Sequence, residues 1–326
     1  MGSIRMKPLV MSCGDPAGIG PEIAVAARAA LGGSIPLVWI GDPAHLPNDA
    51  QWEAISELSR ASSVSATALP VLRHPFAAPA RPGRPDPAHA AGVIEVIARA
   101  VGLVQSGAAS GLVTCPINKA ALKAGANFAF PGHTEYLADL AGGVEVVMML
   151  ACPELRVVPV TIHLPLAEVP GDLTPDMLEQ SLRITHRALI EDFGVAHPRL
   201  AVAGLNPHAG ELGTMGQEEI TLIQPVLEKL RAEGMVLQGP LPADSMFHAK
   251  ARAGYDAAIC MYHDQALIPI KTIDFAGGVN VTLGLPFIRT SPDHGTAYDI
   301  AGKGLADPAS LIAAIRLAAE MARRRA

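Results

Sequence analysis

Short apolar runs rich in Val, Ile and Leu alternate along the chain with longer, Ala-rich segments whose apolar positions repeat at helical spacing. The short runs predict strands at residues 8–13, 35–40, 110–114, 144–150, 157–163, 199–204, 257–262 and 279–283. The longer segments predict helices at residues 21–31, 88–105, 119–124, 175–193, 216–233 and 308–323. This regular alternation indicates an α/β protein with a largely parallel sheet.

Local signals mark some helix starts and one loop. Thr174 precedes Pro175 and Asp176, and Pro21 precedes Glu22, so both segments carry a proline and an acidic residue in the first helical turn. Residues 70–87 contain six prolines, and this density predicts a surface loop, either a domain linker or an excursion within a domain.

Composition narrows the class of protein. At 326 residues the chain can form one large domain or two ordinary ones. The net charge of −6 and the aromatic content of 4% argue against a nucleic-acid partner. No apolar run reaches the length of a signal peptide or a membrane span, and the four cysteines form no CxxC pair. We therefore expect a cytoplasmic protein with buried thiols and no membrane partner.

Three histidines occupy equivalent sequence contexts. His163 in PVTIHLP, His208 in LNPHAGE and His263 in ICMYHDQ each lie where a predicted strand ends. Side chains at the carboxyl ends of parallel strands converge on one edge of a sheet, and three imidazoles suit a divalent metal. Each histidine alone is more often an ordinary polar residue, and only the three together favour a metal site. Asp264, next to His263, could orient a metal ligand or cap a turn.

Two glycine-containing turns suggest anion binding. Residues 12–22, SCGDPAGIGPE, form a strand-to-helix turn without the GxGxxG fingerprint, so either a tight turn or a close backbone approach to an anion explains them. In FPGHTE, Thr134 could cap a helix, or His133 and Thr134 could bind a carboxylate or phosphate.

The C-terminal third adds two further segments. Residues 271–289 carry Lys271, Asn280 and Arg289 in a mostly apolar stretch, which favours phosphate recognition about as much as solvated loop cations. Residues 293–308, DHGTAYDIAGKGLADP, have the glycines of a functional loop, and Asp299 could bind ribose hydroxyls.

These segments together resemble the 4-hydroxythreonine-4-phosphate dehydrogenase family of pyridoxal phosphate biosynthesis. The matching stretches include GDPAGIGPE, TCPINKAALKAG, GHTEYLADL, IHLPL, LNPHAGELGTMGQEE, MYHDQALIPIK, GVNVTLGLPFIRTSPDHGTA and AGKG. The resemblance implies a two-domain fold like that of isocitrate and isopropylmalate dehydrogenases, with largely parallel sheets and a cleft between domains. We place the first domain at residues 1–125 plus 286–326 and the second at 126–285.

The family's functional positions fall on residues of this chain. The resemblance assigns the divalent-metal ligands to His163, His208 and His263, one of them reaching the site from the neighbouring subunit of a homodimer. It assigns substrate binding to His133, Thr134, Lys271, Asn280 and Arg289. Contacts with NAD or NADP would come from His294, Gly295, Thr296 and Asp299. Asp244 and Asp264 are candidates, together with His133, for proton transfer or for support of the metal ligands.

The implied reaction is NAD-dependent oxidation of 4-phosphohydroxy-L-threonine at C3, followed by loss of the carboxylate. Zinc, magnesium or cobalt would act as a Lewis acid at an active site on the dimer interface. Two alternatives remain open: a paralogous dehydrogenase of threonate or erythronate 4-phosphate, and a phosphate acyltransferase of the same fold.

Overall fold

The computed structural model describes residues 6–325, and residues 1–5 and 326 lie outside that range. Its strands are β1 (Leu9–Ser12), β2 (Leu37–Gly41), β3 (Trp52–Ala54), β4 (Leu69–Arg73), β5 (Gly111–Thr114), β6 (Val147–Cys152), β7 (Leu155–Pro159), β8 (Arg199–Ala203), β9 (Val236–Leu241), β10 (Ala257–Cys260), β11 (Val279–Leu283) and β12 (Arg289–Pro292). Its α-helices are α1 (Gly20–Leu31), α2 (Ala61–Val64), α3 (Ala90–Gln105), α4 (Lys119–Ala126), α5 (His133–Leu140), α6 (Val169–Asp172), α7 (Pro175–Glu191), α8 (Gln224–Ala232), α9 (Ala249–Arg252), α10 (His263–Ile273) and α11 (Ala309–Arg325).

The chain divides into two compact units. The first contains the residues up to Glu145 together with those from Leu285 onward, and the second is Val146–Gly284. Our sequence-based boundary at 125/126 falls twenty residues before this division, because α5 packs on α3 of the first unit. The second boundary, predicted at 285/286, differs by one residue.

The first unit contains a parallel sheet in the strand order β3-β4-β2-β1-β5-β12. Its pairs β3–β4, β4–β2, β2–β1, β1–β5 and β5–β12 are all parallel. Every residue of β1 and β2 is buried, as expected for central strands covered on both faces. Helices α3 and α11 pack against these strands.

The second unit contains strands in the order β11-β6-β7-β10-β8-β9. β6 pairs antiparallel with β11 and β7, and the remaining pairs are parallel. A core cluster including Leu150, Val157 and Ile270 lies where α10 packs on β7 and β6. The predicted fold class, α/β with largely parallel sheets, is confirmed.

Capping residues explain where the helices begin and end. Thr174 Oγ1 accepts a hydrogen bond from the amide of Met177 at 3.2 Å and opens α7, as its position before a proline predicted. Asn118 Oδ1 accepts from the amide of Ala121 at 3.0 Å and opens α4. Gly32 ends α1 in the left-handed conformation, with φ of 56°.

The proline-rich segment is only partly the loop that we predicted. Residues 70–73 belong to the strand β4, which lies between β3 and β2, so the prediction was wrong there. The apolar run LPVLR is buried up to Leu72, and this burial outweighs the proline at its second position. The remainder is an excursion within the first unit and therefore not a linker between the two units.

One stretch of the described chain, Pro87–Gln105, has the length and composition of a membrane span. It contains α3, whose apolar face includes Val96, Ile97 and Val101 and is buried against the sheet of the first unit. This is the environment of a core helix.

Candidate functional site

Arg289, the first residue of β12, is a buried cation of the first unit. It is 3% exposed, and its Nη2 and Nε donate to Thr114 Oγ1 of the neighbouring strand β5 at 2.7 and 3.1 Å. Burial lowers the pKa of Arg289 to about 10, and the Glu135 carboxylate opposes this shift. A guanidinium in such a position is stabilised by an anionic ligand.

His133 begins α5 beside this guanidinium. Its Nε2 is buried and has no hydrogen-bond partner among residues 6–325. Burial lowers the pKa of His133 well below its usual value, and the positive charges of Arg289 and Lys119 lower it further. The imidazole is therefore neutral at physiological pH, and its Nε2 is available to a ligand.

Lys119 is the functional candidate that the sequence analysis missed. A side chain on Gly132, which lies just before His133, would meet Lys119 Cε at 3.1 Å and Nζ at 3.3 Å, so the ammonium lies directly against this turn. We call Lys119, His133 and Arg289 the cation cluster. One sequence feature could have indicated Lys119: it lies in the stretch TCPINKAALKAG, directly after Asn118, the N-cap of α4.

Thr134 is the second residue of α5 and is half-buried. Gly132, not Thr134, is the N-cap of this helix, so the interpretation of Thr134 as a cap was wrong. The flexible ends of the Lys119 and Glu135 side chains lie close to this cap. Thr134 therefore lies at the start of the helix, and its hydroxyl does not cap it.

His163 and His263 lie together in the second unit. Their ring centroids are 6.1 Å apart, and both rings line a cavity of about 310 Å³. His263 is the first residue of α10, directly after β10, whereas β7 ends at Pro159, before the predicted end of that strand at His163. Beyond it, the amides of Val160 and Thr161 donate to Cys260 and Met261, so the chain still follows β10 as it approaches His163.

Asp264 contributes to the same cavity. Its Oδ1 lies 2.7 Å from His263 Nδ1, which leaves Nε2 of that ring as the nitrogen for a ligand. Two imidazoles, one of them oriented by a carboxylate, are a donor set that suits a borderline divalent cation. The residues of this cavity therefore fit part of a metal site.

His208 lies apart from this pair. It is exposed and begins a run of left-handed backbone, with φ of 53° at His208 and positive φ through Leu212. Between Met6 and Arg325, no group of three or more His, Cys, Asp or Glu is placed to hold a metal ion. Within one chain the structure thus brings together two of the three predicted histidines.

The remaining predicted residues of the second unit lie on three elements. Lys271 is in α10, with its Nζ 5.4 Å from the centroid of the exposed Phe275 ring. Asn280 is on β11 opposite Leu150, and Asp244 is exposed in the short 3₁₀ turn Ala243–Ser245.

The predicted cofactor residues lie in the loop between β12 and α11. His294 Nδ1 lies 3.0 Å from the carbonyl oxygen of Gly295, and His294 Nε2 is buried without a partner in the described chain. Thr296 accepts a hydrogen bond from the amide of Ile19 at 3.0 Å, and Asp299 is exposed. A buried, unsatisfied imidazole nitrogen and an exposed carboxylate on one loop fit the polar groups of a dinucleotide.

The glycine-rich turn after β1 supports this loop and is not itself an anion site. Its residues through Gly20 are buried, and the amides of Asp15, Ala17, Gly18 and Ile19 already donate to protein oxygens. Of the two interpretations of residues 12–22, the structure favours the tight turn.

The fold defines an α/β protein with largely parallel strands. The sequence model of the family described as "Pyridoxal phosphate biosynthetic protein PdxA" matches residues 33–318, and the chain belongs to this family.

Individual relatives agree with this assignment. The chain is 64% identical over 323 residues to a 4-hydroxythreonine-4-phosphate dehydrogenase of Paracoccus denitrificans, covering 98% of this chain and 99% of the relative. A crystal structure of a 4-hydroxythreonine-4-phosphate dehydrogenase from Klebsiella pneumoniae superposes with a TM-score of 0.89 at 39% identity, covering 97% and 99% of the two chains. A branched-chain phosphotransacylase from Enterococcus faecalis, at 14% identity and a TM-score of 0.57 over 96% and 99%, shares the fold alone.

Proposed function

We propose that this protein is an NAD-dependent dehydrogenase that oxidises 4-phosphohydroxy-L-threonine at C3 to 2-amino-3-oxo-4-(phosphooxy)butanoate. The β-keto acid then loses CO₂ to give 3-amino-2-oxopropyl phosphate, a step in the formation of pyridoxal phosphate. The names of the relatives support this substrate, and the observation in this chain that supports it best is the cation cluster.

The cation cluster suits a small phosphorylated acid on physical grounds. Arg289 is charged and buried, and an anion in contact with it would form a charge-assisted hydrogen bond in a low-dielectric environment. His133 supplies a neutral ring whose Nε2 makes no hydrogen bond within the described residues, and Lys119 adds a second positive charge. We propose that His133, Thr134, Lys271, Asn280 and Arg289 bind the substrate.

The cofactors supply the chemistry that these side chains lack. When bound, a nicotinamide would supply a hydride acceptor for C3, and a divalent cation such as zinc, magnesium or cobalt would supply a Lewis acid that favours loss of the hydroxyl proton. We propose that His163, His208 and His263 hold the cation, with Asp264 orienting His263. His294, Gly295, Thr296 and Asp299 would hold NAD or NADP.

Proton transfer would fall to groups of this chain. The candidates are His133, whose neutral Nε2 can accept a hydrogen bond, and the exposed carboxylates of Asp244 and Asp264. When CO₂ leaves, the bond between the carboxylate carbon and its neighbour breaks, and the carbon that keeps the electron pair takes up one proton.

We further propose a homodimer in which His208 reaches the metal site of the partner subunit. Its separation from His163 and His263 within one chain supports this arrangement. The neighbouring Leu212 is 96% exposed, and Met215 and Ile220 are each 46% exposed, so the left-handed run carries an apolar surface that a second copy could cover. The buried free cysteines agree with a cytoplasmic location.

The decisive experiment combines the purified full-length protein with NAD, a divalent metal salt and 4-phosphohydroxy-L-threonine. We expect NADH and CO₂ in equal amounts. NADH formation only with threonate or erythronate 4-phosphate would assign the protein to the paralogous activity, and acyl transfer to phosphate without NADH would assign it to the acyltransferases.

Two variants test the metal and dimer assignments. His208→Ala should lose both retained metal and turnover, whereas the control His197→Ala, another exposed histidine of the second unit, should keep both. Leu212→Asp should shift the protein from dimer to monomer in sedimentation velocity. Full metal retention in His208→Ala, or an unchanged dimer in Leu212→Asp, would contradict the respective assignment.

A further inference from the structure

The Tyr298 hydroxyl joins three segments that are far apart in sequence. It donates to Asp15 Oδ2 at 2.6 Å and accepts from Asn118 Nδ2 at 2.8 Å. Tyr298 lies in the loop between β12 and α11, Asp15 in the turn after β1, and Asn118 at the start of α4. All three belong to the first unit, and one phenol therefore links three connections of the same sheet.

The Asp15 side of this linkage is rigid. Asp15 is 6% exposed, and its other oxygen, Oδ1, accepts from the amide of Ala17 at 2.8 Å. Burial raises the pKa of Tyr298 to about 12, and the Asp15 carboxylate contributes to the rise. The phenol therefore stays protonated and keeps its hydrogen bond to the carboxylate, which is stronger than a bond between two neutral groups.

The loop contains one strained residue, although the amides of Ile300 and Lys303 donate to the carbonyl oxygens of Ala297 and Ile300 within it. Ala297, next to Tyr298, has a φ of 44°, a left-handed conformation that is unfavourable for a residue with a Cβ. Two hydrogen bonds from backbone amides hold the flanks: the amide of Ile19 donates to Thr296 O at 3.0 Å, and the amide of Gly302 donates to the Glu22 carboxylate oxygen Oε2 at 2.9 Å. Tyr298 lies between these contacts and is the side chain that fixes the centre of the loop.

The Asn118 side of the linkage leads to the cation cluster. Asn118 caps α4 through its Oδ1, and the same amide group donates to Tyr298 through Nδ2. The next residue is Lys119, whose ammonium lies against the turn before His133. A displacement of Tyr298 would therefore change both the cofactor loop and the start of the helix that carries Lys119.

We propose that Tyr298 is a positioning residue that couples dinucleotide binding at residues 293–304 to anion binding at the cation cluster. The inference rests on the proposed function, because that function assigns the dinucleotide to this loop. Coupling of this kind is reciprocal: an anion that orders Asn118 and Lys119 tightens NAD binding, and NAD tightens anion binding by the same factor.

The test measures NAD binding to the full-length protein by calorimetry, without and with saturating inorganic phosphate as the probe for the cation cluster. We expect phosphate to tighten NAD binding at least about fivefold in the wild-type protein. In Tyr298→Phe we expect NAD binding to weaken about tenfold and the effect of phosphate to disappear. In turnover, the same variant should raise KM for NAD more than it lowers kcat.

Two further variants separate positioning from general destabilisation. Tyr255→Phe is the matched control, because Tyr255 is buried in the second unit and its hydroxyl donates to Met246 O at 2.9 Å; it should leave NAD binding and the phosphate effect unchanged. Asn118→Ser keeps a good N-cap but removes the amide donor to Tyr298, and it should lose the coupling even if Tyr298→Phe does not fold.

The outcomes distinguish this inference from the proposed function. If the wild-type protein binds NAD and turns over substrate while phosphate leaves NAD affinity unchanged, or while Tyr298→Phe and Asn118→Ser keep the coupling, the inference alone is wrong. If the wild-type protein with its metal binds no dinucleotide, the proposed function fails and this inference fails with it.

Discussion

Replacing Arg289 by methionine should separate the stability of the first unit from its ability to bind anions. The guanidinium is 3% exposed, and burial lowers its pKa from 12.5 to about 10. At about 1.4 kcal/mol per tenfold change in proton affinity, the folded state disfavours the charged side chain by roughly 3 kcal/mol. Methionine has a similar apolar stem and avoids this cost.

The hydrogen bonds of Arg289 oppose that gain. Two of its N–H groups donate to Thr114 Oγ1, and losing these two bonds should cost about 1–3 kcal/mol. We therefore expect Arg289→Met to be between equally stable and about 2 kcal/mol more stable than the wild-type protein. The pKa of Arg289 is lower in the folded than in the unfolded state. The charged guanidinium therefore destabilises the fold fully below about pH 10, and this destabilisation decreases as the pH rises toward 12.5.

The assay is the free energy of unfolding in urea at neutral pH, measured without phosphate and then with it. Phosphate at a hundred times its Kd should stabilise the wild-type protein by about 2.7 kcal/mol and Arg289→Met by much less. A loss of more than 2 kcal/mol in phosphate-free buffer would refute the reasoning, because it would mean that the buried charge stabilises the fold by itself.

Three smaller predictions concern the scaffold. Thr174→Ala removes the cap on the Met177 amide and should lower the free energy of unfolding by about 1 kcal/mol, while Thr174→Ser should retain most of it. Gly125→Ala places a methyl group against the Pro87 carbonyl and should cost about 1–3 kcal/mol in the same assay; an unchanged stability would show that this contact can relax. All four thiols are buried, so none should react with a disulfide reagent until urea unfolds the chain, and rapid reaction of the native protein would contradict that burial.

The sequence was sufficient to predict the main strands and the long helices. β11 occupies the predicted residues 279–283, and β8 lies within residues 199–204, because each is an apolar run bounded by turn residues. β12 was not predicted because RTSP has the composition of a loop, and only packing against α11 and β5 shows it to be a strand. α10 was not predicted because Pro269 lies inside it.

The candidate site was only partly accessible from sequence. Strand-end position pointed to His163 and His263, and these two residues line one cavity. The stretch TCPINKAALKAG contains Lys119, but the approach of its ammonium to the turn before α5 is visible only in the folded chain. The bond between Tyr298 and Asp15 joins residues 283 positions apart, and only the completed fold brings them together.

The discontinuous first unit has a consequence for the order in which the protein forms on the ribosome. Its sheet needs β12, which pairs with β5 in the register Arg289↔Leu112, and its core needs α11, the last helix of the chain. The second unit is a continuous segment that ends at Gly284, so all of its strands have been synthesised before β12 emerges. We therefore expect the second unit to acquire its native structure during translation, whereas the first stays incomplete until α11 has been synthesised.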